Sequence, residues 1–421
     1  MNIQTQIQRT AAEELLLDAF ASHGGALPGD PSVQARRKAA IDLIGRGLPT
    51  RRVESWHYTD LRRLLSKLPA FAQEAGASVL EPLLDGSLVL PVLGGKAAAG
   101  QGAEGIAVRP LADSLADGGL AERLAVAETD DTVGAINAAF VADGLSITLD
   151  AGAEIEQPIE LQNVHAGGHV HSRFVVKAGA GSKAVFIERQ TGNGQALISS
   201  VSELEVGEGA DILWIVLQDQ PENVHHLAQF KASVAGGAKL TLFVMNVGAK
   251  LARQEVRVRM EGEHSEFRLR GANLMADEQH SDTTMVLHHL APDTYSTETI
   301  RNIVTGRAQG VFQGMIRVAQ AAQKTDAKMA CNTLLLSDEA GFSTKPELEI
   351  FADDVACGHG ATVTEIEKDH LFYLMARGID EKSARGLLVK AFLAEVIEEL
   401  EDERVIDMLE ARLTRWFDEH A

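Results

Sequence analysis

A short pattern recurs through the middle of the chain: a small residue, one or two polar or small residues, then the start of an apolar strand. It stands at Gly152-Ala153-Glu154-Ile155, Gly181-Ser182-Lys183-Ala184, Gly209-Ala210-Asp211-Ile212 and Gly237-Ala238-Lys239-Leu240, with a fifth copy at His264-Ser265-Glu266-Phe267. Successive copies lie about 28 residues apart, and Ala321-Ala322-Gln323-Lys324 falls two periods beyond the fifth. Between copies run alternating, β-branched segments such as Ser146-Ile147-Thr148-Leu149, Arg173-Phe174-Val175-Val176, Ile212 to Leu217, Leu240 to Val244 and Val256 to Met260. A strand–turn–strand unit of fixed length cannot bury its apolar face alone, but stacked units can, as coils of a solenoid. The competing architecture is a β-sandwich, whose strands come about every 8–12 residues with less constant spacing. With 38 glycines and only 5% aromatic residues, the composition suits thin, repetitive packing.

The ends depart from this period. Residues 1–67 read as helical: Ala11 to Phe20 is periodic, and Pro31 to Ile44 has a proline start and a Gly45 stop. Residues 68–145 read as a mixed lead-in of a few strands and short helices, and 146–362 as the solenoid. From 363 to 421 the pattern is helical again. Thr364-x-x-Glu367 has the form of a capping box, Gly378 ends one helix, Asp380 caps the next, Leu388, Phe392, Val396 and Leu400 form a stripe, and a last helix runs to about Phe417.

A net charge of −21 repels phosphate backbones and anionic lipid, which argues against nucleic-acid or membrane partners. No run of about 18 apolar residues marks a membrane span. Met1 to Gln6 has neither a basic nor an apolar leader region, and two cysteines make no disulfide framework, so a reducing cytoplasm is expected. No nucleotide-binding G-x-x-x-x-G-K-[ST] occurs: Gly94-Gly95-Lys96-Ala97 lacks the upstream glycine and the hydroxyl residue. No G-x-S-x-G nucleophile elbow occurs either.

Near the end of the solenoid, Leu348-Glu349-Ile350-Phe351 leads into an acidic turn, and then Cys357 and His359 stand two apart. Residues i and i+2 of a strand share a face, so a thiol and an imidazole, both metal ligands, stand side by side. Two ligands do not complete a tetrahedral site. Either they are a packed thiol and a hydrogen-bonded imidazole, or they are half of a site that another chain completes. Cys331 reads as a buried thiol, and two cysteines are too few for this chain to hold a thiolate-ligated metal cluster alone. His165, His169, His171, His225, His226, His288 and His289 read as residues of solvated or hydrogen-bonded turns, with His169 and His171 in a glycine-rich loop. Asp353-Asp354 reads as a solvated cap, and Trp56 and Tyr58 as packing at a helix–loop junction.

Several of these stretches carry a resemblance. Gln323-Lys324-Thr325-Asp326-Ala327, Leu334-Leu335-Leu336-Ser337-Asp338, Thr344-Lys345-Pro346-Glu347-Leu348-Glu349-Ile350, Cys357-Gly358-His359-Gly360-Ala361-Thr362 and, near the start, Glu54-Ser55-Trp56-His57-Tyr58-Thr59-Asp60-Leu61 are similar to motifs of the SufB/SufD family of iron–sulfur cluster assembly proteins. His57 stands where the family more often has a basic residue. The SufD branch is favoured, because SufB carries further cysteines. The resemblance implies a right-handed parallel β-helix and a non-catalytic assembly subunit. It implies pairing with a SufB-like protein through the end of the β-helix and docking of a SufC-like ABC-type ATPase on the C-terminal helices. Cys357 and His359 would then form a metal site shared with SufB, holding a nascent cluster only in that complex. A homodimer through the same end is expected in isolation. The alternative is an intracellular β-helix enzyme acting on polysaccharide, against which stand the few aromatics and the helical C-terminal unit.

Overall fold

The structure is a computed structural model and describes residues 9–71, 76–98, 102–126 and 128–420; the stretch read above for a leader, residues 1–6, lies outside them. In chain order the strands are β1 (Leu88–Leu93), β2 (Lys96–Ala97), β3 (Ile106–Pro110), β4 (Asp143–Leu149), β5 (Ile159–His165), β6 (Gly168–Ala178), β7 (Lys183–Gly192), β8 (Ala196–Val206), β9 (Asp211–Asp219), β10 (Val224–Val234), β11 (Lys239–Asn246), β12 (Leu251–Met260), β13 (Glu266–Met275), β14 (His280–His289), β15 (Tyr295–Val304), β16 (Gln309–Val318), β17 (Asp326–Leu335), β18 (Gly341–Ile350) and β19 (Ala356–Glu365). From β4 onward they alternate between two sheets, even-numbered in one and odd-numbered in the other. Every neighbour within the run is parallel, as in β8–β10–β12 and β15–β17–β19. Each coil thus gives one strand to each sheet, and the chain is a parallel β-helix. Strand β1, within the stretch read as a lead-in, pairs parallel with β5 and is already part of the odd sheet.

The repeated pattern is the turn between coils. Gly152, Gly181, Gly209 and Gly237 have φ of 70°, 67°, 65° and 63°, the left-handed region that glycine adopts without strain. His264 takes the same conformation in the fifth copy (φ 60°). Asp293 (φ 54°) and Lys324 (φ 61°) continue the series, and Asp293 marks the turn that the spacing alone skipped. Later turns are closed by the next side chain: the Ser265 hydroxyl donates to the Gly262 carbonyl (2.8 Å) and the Thr325 hydroxyl to that of Ala322 (2.9 Å).

Side chains pointing between the sheets make the main core, with Phe174, Phe186, Trp214, Phe230, Phe267 and Phe312 fully buried. The Trp214 ring stacks on Phe186 (4.8 Å between centroids) and meets Phe230 edge-on (5.3 Å). An amide ladder runs along the coils: Asn246 donates to Asn273 (2.7 Å), Asn273 to Asn302 (2.8 Å), and Asn302 to Thr333 Oγ1 (3.1 Å).

Helices cover both outer faces. Helices α1 (Ala11–His23), α2 (Pro31–Ile44), α3 (Leu61–Leu64), α4 (Leu111–Ala116) and α5 (Thr132–Phe140) pack Leu16, Val33, Ile41 and Phe140 into a cluster with Val175, Leu197, Leu227 and Leu251 of the even sheet. Helix α2 starts with proline behind an Asp30 cap and stops at Gly45. After β19 come α6 (Lys368–Ala376), α7 (Glu381–Ile397) and α8 (Glu403–His420). Val389 and Leu393 of α7, with Trp416 and Phe417 of α8, join a cluster with Ile187, Ile215, Phe243 and Ile303 of the odd sheet. Helix α6 buries no residue.

Three local readings change. Thr364 is still in β19, and Glu367 precedes α6 without a side-chain cap, so no capping box forms there. The box is instead Thr10 with Glu13 at the start of α1. On α7 the buried face is Val389, Leu393, Val396 and Ile397; of the expected stripe Val396 and Leu400 are buried and Phe392 packs against the same cluster, while Leu388 is only half-buried. His169 and His171 lie in strand β6, not in a loop, and the histidines of β5, β6 and β10 are buried. Their rings are held by neutral partners, His171 Nδ1 by Ser199 Oγ (2.8 Å), His226 Nε2 by Ser200 Oγ (2.9 Å) and His165 Nε2 by Gln220 Oε1 (2.7 Å).

The N-terminal motif is a clamp. Trp56 is fully buried, donates from Nε1 to the Asp130 carbonyl (3.2 Å), and lies 3.7 Å under the Arg253 guanidinium. Arg253 donates to Asp282 (2.5 Å), Glu255 (3.0 Å) and the Ser55 carbonyl (2.9 Å), while Thr59 Oγ1 bonds Asp282 and His280. Glu54 reaches Lys345 of β18. Packing is therefore what Trp56 does, and it ties the N-terminal helices across several coils.

Two outcomes follow. Trp56→Ala should cost about 3–5 kcal/mol in denaturant unfolding, since it removes a large buried ring and uncovers Arg253; a loss below about 1 kcal/mol would contradict the clamp. Burial also holds His169 and His225 at about 4 and His226 at about 3, below the ordinary 6.5. Above pH 6.5 these groups are neutral folded and unfolded. As pH falls from 6.5 toward 4 the unfolded chain takes up protons that the folded chain refuses, so stability is lost in that window. At pH 5, His169→Gln should recover roughly 1–2 kcal/mol of it by calorimetry, and an unchanged pH slope would contradict the assignment.

Candidate functional site at the open end of the solenoid

The two sheets end on β18 and β19, each of which has a partner on one side only. At the other end of the stack, β1–β2 and β3–β4 close the sheets with antiparallel pairs. The C-terminal end thus presents two bare strand edges. Around them Phe351, Ile350 and Val363 are 66%, 40% and 38% exposed, large apolar groups left to solvent.

Cys357 and His359 lie in β19 at this mouth. Register sets Cys357 over Ala327 and His359 over Met329, and both Ala327 and Met329 are buried in the main core. The thiol and imidazole therefore stand on the inward file, at the last rung of the core, rather than on the outer face. Cys357 is half-buried and packs against the core, and His359 is exposed. With Lys328, Met329, Ala356 and Gly358 they line a shallow recess of about 500 Å³. A Cβ on Gly358 or Gly360 would meet nothing within 4 Å, so the outer side of the strand is open to close approach.

Two other motifs build the rung. In Gln323-Lys324-Thr325-Asp326, the Gln323 carbonyl oxygen of the side chain accepts from Asp354 N (3.0 Å), and the Asp354 carbonyl accepts from Lys324 N. This fixes the acidic turn that delivers β19. Asp353-Asp354 is thus a turn pair, as read. Lys345 is bound by Glu54 and Glu347, anchoring β18.

Burial, with Asp326 and Glu298 nearby, holds the Cys357 thiol above its ordinary value. Cys331 is buried, its thiol pushed up to about 12 by burial, and Asn302 donates to its sulfur (3.4 Å). It is the packed thiol expected from sequence.

Sequence reasoning passed over two buried carboxyls. Glu188 in β7 is buried and raised by burial, and it is satisfied: Ser202 Oγ donates at 2.7 Å, Gln190 Nε2 at 2.6 Å and Trp214 Nε1 at 3.0 Å. Glu298 in β15 is fully buried, and neither of its oxygens has a donor at bonding geometry among the described residues. Burial pushes it up to about 8, with Ser296 and Arg270 pulling it partway back. It shares a file with Met329 and His359. An alternating strand pattern interrupted by glutamate was the only available signal. Among the described residues, one set of three possible ligands has its atoms within 4.8 Å of one another: Glu222, Asp277 and His420, on earlier coils and the end of α8.

Fold and site together define a class: a two-sheet parallel β-helix, sheathed by helices, whose uncapped end carries one thiol and one imidazole. A profile of the SUF system FeS cluster assembly SufBD core domain matches residues 161–392, more than half of the chain. The iron-sulfur cluster assembly protein SufD of Escherichia coli is 29% identical over 394 residues, covering 88% of this chain and 90% of that one. Protein ABCI7, chloroplastic, of Arabidopsis thaliana is 26% identical across 96% of this chain and 91% of its own. The iron-sulfur cluster assembly protein SufB of Bacillus subtilis is 25% identical over 66% of this chain and 61% of its own length. The chain belongs to the SufB/SufD family of iron–sulfur cluster assembly proteins.

The lone carboxyl has a measurable cost. The folded value of about 8 for Glu298 lies above the ordinary 4.5. As pH rises from 4.5 to 8, the unfolded chain releases a proton that the folded chain keeps, so stability falls over that window. Glu298→Gln, which keeps the shape without the proton, should raise the melting temperature at pH 8.5 and leave it nearly unchanged at pH 4.5. Equal shifts at both would contradict this.

Proposed function

We propose that the chain is the SufD-type subunit of an iron–sulfur cluster assembly complex, acting as scaffold rather than catalyst in the cytoplasm. Its open β-helix end pairs with a SufB-type protein. Its C-terminal helices dock a SufC-type ABC ATPase, to which ATP hydrolysis belongs. Cys357 and His359 supply part of a site that the SufB-type partner completes, and the nascent cluster is the cargo of that site rather than a resident cofactor of this chain. Family membership favours this over the polysaccharide-active reading.

The observation that carries the proposal is the bare end itself. Two unpaired strand edges and exposed apolar side chains call for a protein partner, and Cys357 and His359 sit on the rung such a partner would cover. A partner of the same family, if it shares this β-helix, would offer matching edges. Without that partner, a second copy of this chain meets the same need, giving a homodimer through β18 and β19 that light scattering at tens of micromolar reads directly.

Docking of the ATPase falls to α6. Phe372 and Tyr373 are 73% and 57% exposed, and Leu387 on α7 is 50% exposed. Truncation at residue 364 is a poor probe, because α7 and α8 cover Phe243, Ile215 and Ile303. The double variant Phe372→Ala with Tyr373→Ala should instead cut ATPase pull-down at least about tenfold with the fold intact; full pull-down would remove α6 from the interface.

His359→Ala should leave folding and complex formation nearly unchanged but lower iron and acid-labile sulfide per purified complex several-fold. Cys357→Ser should have an equal or smaller effect. Wild-type iron and sulfide in the His359→Ala complex would overturn the shared site.

A further inference from the structure

Two ligands two residues apart leave a cation at the mouth short of a full set, and the second coil beneath supplies an unused one. We propose that Glu298 is a third ligand, reaching from inside the solenoid, for a divalent cation of the ferrous class held by Cys357 and His359. The inference rests on the shared-site reading above and adds a residue from the interior to it.

Three observations carry it. First, Glu298 differs from the other carboxyl in the same core. Glu188 has three donors, whereas Glu298 has both oxygens fully buried with none at bonding geometry among the described residues, the Ser296 hydroxyl nearby being its one polar neighbour on its face of the strand. A buried carboxyl left without donors needs a proton or a cation. Second, register puts Glu298, Met329 and His359 on one inward file, with Glu298 two strands below His359. At the spacing of parallel strands this is roughly 10 Å between Cα atoms, so both side chains point into the same short length of the axis. Third, what separates them is a flexible side chain. Met329 fills the space over Gly314, where a Cβ would come 2.3 Å from its sulfur. Methionine is unbranched and its thioether is a soft ligand.

The three ligand atoms do not lie within 4.8 Å of one another among the described residues. They converge when Met329 withdraws from between them. On binding, the Cys357 thiol and the Glu298 carboxyl each lose a proton to solvent, and the dication replaces the two protons. The interior therefore gains no net charge, which is why a cation can enter an apolar core there.

The test uses the full-length chain and cobalt(II) as the probe, under anaerobic conditions. The thiolate-to-cobalt absorption band reports ligation by sulfur, and the Glu222, Asp277 and His420 group, which has none, is silent in it. Wild type should show the band at one cobalt per chain. Glu298→Gln, and independently Glu298→Met, should weaken cobalt affinity at least about tenfold while near-ultraviolet circular dichroism stays that of wild type. Wild-type affinity in both Glu298 variants, with the band lost in His359→Ala, overturns the role of Glu298 and leaves the mouth site standing. A band unchanged in His359→Ala overturns the mouth site as well. A wild type that shows no band overturns this inference, and the iron content of the complex then judges the shared site separately.

Discussion

Everything in this molecule depends on the hydrogen-bond ladder between parallel coils. Each strand from β5 to β17 gives one edge to the coil before and the other to the coil after. That arrangement satisfies the backbone inside the stack and leaves it unsatisfied at the ends. The N-terminal end is closed within the chain by β1–β2 and β3–β4. The outer faces are closed by helices from both ends of the sequence. At the C-terminal rung, β18 and β19 have no such antiparallel closing strand among the described residues. That rung also carries Cys357 and His359. The location of the site is therefore a consequence of how a solenoid must terminate.

Interior polarity follows the same ladder. A residue buried in one coil has the coils above and below as its only neighbours on the file, so polar groups persist where those neighbours answer them. Asn246, Asn273 and Asn302 answer one another, and His171 and His226 each find a serine. Glu188 is answered by Trp214 from the coil above and by Ser202 from the facing sheet. Glu298 lies between Leu269 and Met329, and neither can answer it. It lies fully buried beneath Met329, which lines the recess, two strands in from His359.

The repeat was legible because the turn conformation is encoded residue by residue: a left-handed φ at Gly152, Gly181, Gly209 and Gly237 leaves a spaced glycine behind. It faded at Asp293, which the spacing skipped, and was misplaced by three residues at the next turn, where Lys324 rather than Ala321 takes that conformation. Helix α2 was legible from its caps. The false capping box at Thr364 shows the limit of the same reasoning, for a strand pairing along β17 extends to Glu365 and claims the residue first. The inward direction of Cys357 and His359 was not in the sequence, because alternation says that two residues share a face but not which face. The histidines misled for a similar reason. Glycine-rich spelling around Gly167 and Gly168 suggests a loop, while tertiary pairing of β6 with β8 makes it a strand. Glu298 was invisible because its register with His359 exists only once the coils are stacked.

The central claim is that the bare rung formed by β18 and β19 is the surface a SufB-type partner covers. Amide hydrogen exchange of the full-length chain, alone and with a SufB-type protein, tests it most directly. Exchange in residues 341–350 and 356–365 should be fast in the chain alone at concentrations too low for self-association, and should slow by at least about tenfold with the partner. The helices over the outer faces should be unaffected. Unchanged exchange on both strands in a formed complex, with protection appearing elsewhere, would contradict the account.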